Sequence, residues 1–200
     1  MSADAVFSVW LAAVAAMLAG WLLQKRTRNA GVVDAIWAAC MSASALYYAI
    51  VGDGGAIPRV AVAVLGGFWG FRLCMHLLAR VLNEDEDGRY RHLREHWRDS
   101  QWKFFFFFQA QAVLVALFSL PFLAVSRNPA MHATSWIWLG VLVWIASVAG
   151  ETVADLQLAR FRHDARNRGR TCRAGLWRYS RHPNYFFEWM HWFAYVLLAV

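Results

Sequence analysis

Long apolar stretches, separated by short charged clusters, dominate this chain. They lie near residues 5–23, 32–51, 58–82, 104–125 and 134–158, and a last one begins near 184 and continues to Val200. A helix needs about 20 apolar residues to cross a hydrocarbon core about 30 Å thick. Backbone N–H and C=O groups in lipid must form their hydrogen bonds within the segment. The alternation of apolar and polar residues that is typical of barrel strands is absent. The pattern predicts an all-α, polytopic transmembrane helix bundle with about six spans.

Composition supports a membrane protein rather than a soluble one. The chain has 200 residues, of which 60% are hydrophobic and 16% charged, and its mean hydropathy is +0.34. No basic segment with a cleavage site precedes the first apolar stretch, so that stretch is predicted to be a retained helix. Without a repeat or a linker, residues 1–200 are predicted to form a single membrane-embedded domain.

The basic residues predict an orientation. Of the 20 Lys and Arg residues, 17 follow the first, third and fifth spans, two (Arg59 and Arg127) lie in the intervening loops, and Arg72 lies within the third span. By the positive-inside rule, the N-terminus is outside and the basic loops are cytoplasmic. The net charge of +7 therefore indicates topology and contact with membrane lipids, and nucleic-acid binding is not expected.

Polar residues within or beside apolar spans are costly, so they mark either internal pairing or function. Four groups of such residues are expected at the cytoplasmic ends of the spans: Asp34 with Trp37; Arg72, His76 and Arg80; Glu151, Asp155 and Arg162; Asn184, Glu188 and His191. Pairing alone, such as Arg72 with Asp34, would explain any single group. A shared polar cavity that opens to the cytoplasm would explain all of them.

Other features have simpler interpretations. His92 and His96 flank Glu95 at helical spacing, but no second ligand cluster accompanies them, so no metal site is predicted. The cysteines lack CxxC spacing, so neither a disulfide framework nor redox chemistry is indicated; they are Cys40, Cys74 and Cys172. The acidic run at 84–87 is either a solvated loop or a cap for the next helix, and it could also help to bind a ribose.

The stretch GLWRYSRHPNYFFEW, at 175–189, carries the most specific chemistry. Pro183 suits the first position of a helix, whose free N–H groups favour a phosphate. Asn184 and Glu188, one turn further along, could bind an amide or a hydroxyl group. Arginines precede the stretch or lie within it: Arg170, Arg173, Arg178 and Arg181. Together these residues indicate a nucleotide cofactor that reaches into a lipid-facing cavity.

Several segments resemble the steroid 5α-reductase family and its bacterial DUF1295-type branch: GVVDAIW, GFRLCMHLLAR, EDEDGRYRHLREHW, FFFFFQAQ, ETVADLQLARFR and GLWRYSRHPNYFFEW. The resemblance implies an NADPH-dependent oxidoreductase that reduces the carbon–carbon double bond of an enone lipid, such as a 3-oxo-Δ4 steroid, by hydride transfer to the β-carbon. It also implies a seven-helix fold in the bacterial inner membrane, so this chain is expected to be incomplete at its C-terminus.

The resemblance also implies site residues. The cofactor contacts of the family correspond to Asp155, Arg162, Arg170, Asn184 and Glu188. The predicted cofactor-binding set further includes Glu151, Arg173, Tyr179, Arg181 and His182. On the substrate side, Asp34 is expected to donate a proton or to orient the donor, helped by Arg72 or His76.

Two departures from the family pattern affect these expectations. Phe187 stands where the family often has a glycine, and its ring would narrow the approach to the cofactor. The tyrosine that polarises the substrate carbonyl has no evident counterpart. Two alternatives stay open: an S-adenosylmethionine-dependent membrane methyltransferase of the isoprenylcysteine type, which shares the RHPxY stretch, and a non-catalytic lipid-binding membrane protein.

Overall fold

A computed structural model describes residues 2–200, and within this range every regular element is helical. The α-helices, in chain order, are α1 (Ser2–Thr27), α2 (Val32–Val51), α3 (Ala56–Asn83), α4 (Gly88–His96), α5 (Gln101–Phe118), α6 (Leu120–Val125), α7 (Ser135–His163) and α8 (Pro183–Leu198). Two short 3₁₀ turns, Ala165–Asn167 and Gly175–Arg178, lie between α7 and α8. The predicted all-α class is confirmed.

Five helical segments are long and apolar enough to cross a membrane: Ala3–Thr27, Val32–Val51, Ala56–Asn83, Gln101–Val125 and Ser135–His163. They coincide with the first five predicted stretches, and they support an integral membrane protein. Helix α8 has 16 residues, fewer than the 20 of the shortest of those five. The last predicted stretch is therefore helical, but in the described part of the chain it is shorter than a full span.

The helices form two compact units, unit 1 (Met1–Pro129) and unit 2 (Ala130–Val200). In unit 1, α2 and α3 pack closely because glycines on α3 let the backbones approach. A Cβ atom at Gly70 would lie 2.7 Å from the Ser42 nitrogen and 2.9 Å from the Ala38 oxygen. The Ser42 hydroxyl donates to the Gly67 carbonyl at 2.7 Å. This contact sets the register between the two helices.

Arg94 holds α4 against the rest of unit 1. Its guanidinium donates to both carboxylate oxygens of Glu86, at 2.8 and 3.1 Å, and to Asp99 at 2.7 Å. Glu86 also accepts from the Ala30 N–H at 2.8 Å, so α4 is tied to the beginning of α2. Because the Arg94 and Glu86 side chains are both only 12% exposed, this pair is desolvated, and removing one partner would leave a buried charge.

In unit 2, α7 packs against α8 through two glycines. A Cβ atom at Gly140 would lie 3.0 Å from the Ala194 carbonyl oxygen, and Gly150 lies under the Phe187 ring with no room for a Cβ. The bulk of Phe187 is therefore accommodated by Gly150 on the neighbouring helix. The sequence shows the bulky ring but not the glycine that faces it.

We expect Gly70→Ala to lower the thermal stability of the protein in detergent, because the added methyl group meets backbone atoms of α2 rather than flexible side chains. Overpacking of this kind typically costs about 1–3 kcal/mol. Gly67→Ala is the matched control, since its Cβ would lie 3.3 Å from the Leu46 side chain, which can move. Equal melting temperatures for the two variants would contradict the proposed backbone contact.

Candidate functional site

Unit 1 contains an open cleft of about 320 Å³ beside the first turn of α2, the end of α3 and the beginning of α4. Its lining residues are Asn29, Gly31, Asp34, Leu77, Arg80, Val81, Glu84, Asp85, Asp87, Arg89 and Tyr90. Four acidic and two basic side chains line it together with the aliphatic side chains of Leu77 and Val81 from α3. Asp34, predicted from the sequence as a substrate-side residue, lies in this cleft.

Asp34 is paired with Tyr90. The Tyr90 hydroxyl donates to Asp34 Oδ1 at 2.7 Å, and an Arg89 Nη donates to Oδ2 at 3.4 Å. Tyr90 is buried and packs against Phe107, with ring centroids 6.1 Å apart. Burial raises the pKa of Tyr90, and the nearby Asp34 carboxyl raises that pKa further, so the hydroxyl stays protonated at neutral pH.

The sequence analysis did not single out Tyr90 as a site residue. Asp34 and Tyr90 are 56 positions apart, so helical spacing does not relate them. The available signal was the single aromatic side chain on the otherwise charged helix GRYRHLREH. Such a residue on a polar helix has to pack against something, and here its ring packs in unit 1 while its hydroxyl contacts Asp34.

A network of arginines and carboxylates supports this pair. Arg89 contacts Asp87 at 3.2 Å, and Arg80 contacts Asp87 at 3.2 Å and Glu84 at 3.5 Å. Desolvation opposes ionisation of Asp87, but hydrogen bonds from Arg89 and Arg80 outweigh it and lower the pKa of Asp87. Asp87 also caps α4 by accepting from the Arg89 N–H at 2.9 Å, as one interpretation of the acidic run predicted.

Arg72 and His76, which were predicted to assist Asp34, do not line this cleft, and that role stays a prediction. The described hydrogen-bonding partners of Asp34 are Tyr90 and Arg89. The helix face explains the difference, because Leu77 and Val81 lie on the same side of α3 as Gly70, which packs against α2. At helical spacing, Arg72 and His76 lie on a different side of α3 from Gly70. His76 is exposed and Arg72 is partly buried on α3.

In unit 2, the beginning of α8 is joined to α7 by a polar pair. Asn184 Nδ2 donates to Asp155 Oδ1 at 3.1 Å. The other amide atom, Asn184 Oδ1, is enclosed and has no hydrogen-bond donor among the described residues. Glu151 is buried one turn before Asp155, and Glu188 is partly buried one turn after Asn184. The structure thus brings together Asp155 and Asn184 from the predicted cofactor-binding set.

The end of the basic loop is attached to α7 next to this pair. Gln157 Oε1 accepts from the Leu176 N–H at 2.8 Å, and the Trp177 indole donates to the Ala154 carbonyl at 2.8 Å. Gly175 has φ +58°, and a side chain there would overlap Gln157. These contacts fix the backbone of GLW while the polar side chains that follow remain accessible.

The predicted basic residues of this loop are exposed and uncompensated. Five of them are exposed, and none of the five forms an ion pair within residues 2–200: Arg162, Arg170, Arg173, Arg181 and His182. Tyr179, also predicted to contact the cofactor, is 86% exposed. The end of α7 and the loop that leads into α8 therefore carry several positive charges that are available to an anionic ligand.

His92 and His96 lie on the exposed side of α4, with ring centroids 6.3 Å apart. Among residues 2–200 no group of three or more His, Cys, Asp or Glu side chains is arranged to hold a metal ion. This pair therefore adds nothing to the candidate site.

Comparison with known proteins identifies a family. The family described as "Protein of unknown function (DUF1295)" matches residues 20–200. An uncharacterized protein of Schizosaccharomyces pombe is 24% identical over 206 residues, a match that covers 90% of this chain and 60% of that protein. No solved structure matches. This chain therefore belongs to the DUF1295 family, which is associated with steroid 5α-reductase-like membrane proteins.

Proposed function

We propose that this protein is an NADPH-dependent membrane reductase that reduces the carbon–carbon double bond of an enone lipid, such as a 3-oxo-Δ4 steroid. The observation that carries the proposal is the Asn184–Asp155 pair, together with the exposed, uncompensated arginines of the same unit. Membership of a family associated with steroid 5α-reductase-like proteins supports the reaction class.

The residues at the beginning of α8 suit a nucleotide. Asn184 Oδ1 is an enclosed acceptor without a described donor, and Asp155 uses only Oδ1 in its hydrogen bond with Asn184. Two such acceptors match a group with two donors, either a carboxamide or the hydroxyls of a ribose. An enclosed acceptor costs free energy until a donor reaches it, so ligand binding would remove that cost.

The arginines suit the phosphates of the same ligand. Pro183 occupies the first turn of α8, where free backbone N–H groups and the helix dipole favour an anion. Arginine binds phosphate oxygens through pairs of hydrogen bonds. A 2′-phosphate distinguishes NADPH from NADH, and S-adenosylmethionine lacks phosphate groups altogether. The excess of unpaired arginine therefore favours NADPH over the cofactor of the alternative methyltransferase.

Asp34 and Tyr90 suit the substrate carbonyl. NADPH, when bound, would supply the hydride for the β-carbon, and negative charge would then develop on the carbonyl oxygen. A positioned donor stabilises that charge. The Tyr90 hydroxyl keeps its proton, and it is positioned by its 2.7 Å hydrogen bond to Asp34 Oδ1. When Asp34 is protonated, it can donate to the tyrosine oxygen and free the Tyr90 hydroxyl for the substrate.

We expect the purified protein in detergent to bind NADPH more tightly than NADH, because NADH cannot use the arginines that contact the 2′-phosphate. The double variant Arg170→Gln and Arg173→Gln should weaken NADPH binding roughly tenfold or more, the scale of a lost charged hydrogen bond, with little effect on NADH. Arg26→Gln, at the exposed end of α1, is the matched control. Equal calorimetric affinities of the parent for both nucleotides would refute the assignment, as would binding of S-adenosylmethionine instead.

Removing the Tyr90 hydroxyl should slow single-turnover hydride transfer while NADPH affinity is unchanged. The loss of one donor to a developing oxyanion typically costs about 10²–10³ in rate, so we expect this loss in Tyr90→Phe. Asp34→Asn should retain part of the activity, because an amide can still hold the hydroxyl, and Asp34→Ala should lose it. Tyr47→Phe on α2 is the control. Parental rates in Tyr90→Phe would remove the tyrosine from the mechanism.

A further inference from the structure

Positive charge exceeds negative charge where the end of α1 meets the beginning of α5. This basic corner, residues 21–28 and 97–101, contains four basic residues and one acidic residue: Lys25, Arg26, Arg28, Arg98 and Asp99. Asp99 is already engaged, because it accepts hydrogen bonds from both Arg28 and Arg94. Lys25, Arg26 and Arg98 are exposed, and within residues 2–200 none of the three forms an ion pair. Their charges are available to an anionic ligand, and the proposed reaction does not use them.

Trp21 joins the two helices at the basic corner. Its indole N–H donates to the Gln101 carbonyl at 3.1 Å, and its ring meets Phe105 edge-on, with centroids 5.3 Å apart. Trp21 lies near the end of the apolar segment Ala3–Thr27, and Gln101 begins the apolar segment Gln101–Val125. These contacts place the two helix ends at the same membrane boundary, the level at which tryptophan is enriched in membrane proteins.

Lys25 is held over this aromatic surface. Its Nζ atom lies 4.7 Å from the centroid of the Trp21 ring, which is a cation–π contact. The ring is itself fixed by its hydrogen bond to Gln101, so the ammonium group has a defined position. A side chain that is already positioned loses less conformational freedom when it binds an anion, and this favours binding.

Apolar side chains next to Lys25 are exposed. Leu18 and Leu22 on α1 are both exposed, and at helical spacing Leu18 lies on the same side of α1 as Lys25. On α5, the exposed Trp102 ring packs against Phe105, with centroids 6.1 Å apart. A positive group at the membrane boundary, beside exposed aliphatic and aromatic side chains, matches the two parts of a phospholipid, its phosphate and its acyl chains.

We propose that the basic corner binds an anionic phospholipid, with Lys25 as the ligand of its phosphate and the exposed side chains of α1 and α5 as the surface for its acyl chains. The excess of positive charge favours a headgroup with net negative charge. A zwitterionic choline headgroup is disfavoured, because its cation would compete with Lys25 for the Trp21 ring. The site needs neither nucleotide nor enone, so it does not depend on the proposed reaction.

The test compares two lipids that share their acyl chains, dioleoylphosphatidylglycerol and dioleoylphosphatidylcholine. Native mass spectrometry of the full chain in detergent measures the dissociation constant of the first bound molecule of each lipid. The parent should bind the phosphatidylglycerol more tightly. Lys25→Gln should lower this preference roughly fivefold, the contribution of one basic residue near an anionic lipid surface. Lys25→Arg keeps the charge and should retain most of the preference.

Lys103→Gln is the matched control. It removes one exposed charge at the same boundary, but at helical spacing Lys103 lies on the opposite side of α5 from Phe105, which contacts Trp21. The control should therefore keep the parental preference, whereas unspecific attraction to charge would give equal losses in Lys25→Gln and Lys103→Gln. The preference is a ratio measured within each variant, so a partly unfolded sample does not imitate its loss.

Three results would overturn the proposal. The first is equal affinity of the parent for the two lipids, and the second is an equal effect of the two glutamine substitutions, whether both lower the preference or neither does. The third is displacement of phosphatidylglycerol by an equal concentration of glycerol 3-phosphate, which would indicate a site for soluble phosphate esters rather than for a lipid.

Discussion

Polar groups that become enclosed on folding must find partners within the chain, and the attachment of α4 and of the basic loop follows from this constraint. Arg94 and Glu86 are held together because neither charge is stable alone at such low exposure. The same requirement ties the Tyr90 hydroxyl to Asp34 and the Trp177 indole to the Ala154 carbonyl. These contacts fix α4 on unit 1 and the basic loop on α7, and they thereby position both candidate sites.

A few enclosed polar groups are exceptions to this constraint. Asn184 Oδ1 in unit 2, and Trp37 and Gln109 in unit 1, are enclosed polar groups without described partners. The first is an acceptor beside exposed arginines, which suits a nucleotide with donor groups and phosphates. The other two are buried donors of unit 1.

The sequence was sufficient for the features that depend on local pattern. The apolar stretches located the helices, because a span is defined by its own composition. Pairing between distant helices could not be predicted in the same way. Tyr90 was missed because its partner Asp34 is close only after α4 has folded against α2. The cleft beside Asp34 is lined by Leu77 and Val81 rather than by Arg72 and His76, because the first two lie on the face of α3 that carries Gly70. Similarly, Phe187 appeared obstructive because Gly150, which accommodates it, lies on another helix.

The most direct test of the proposed reaction follows the hydride. Proteoliposomes that contain the full chain would be incubated with a 3-oxo-Δ4 steroid and with NADPH that carries deuterium at the transferable position of the nicotinamide. The account predicts a saturated ketone with one deuterium on the former β-carbon, one solvent hydrogen on the α-carbon, and an equal amount of NADP⁺. The absence of reduced product across a panel of enone lipids would contradict it, as would a methylated product formed from S-adenosylmethionine.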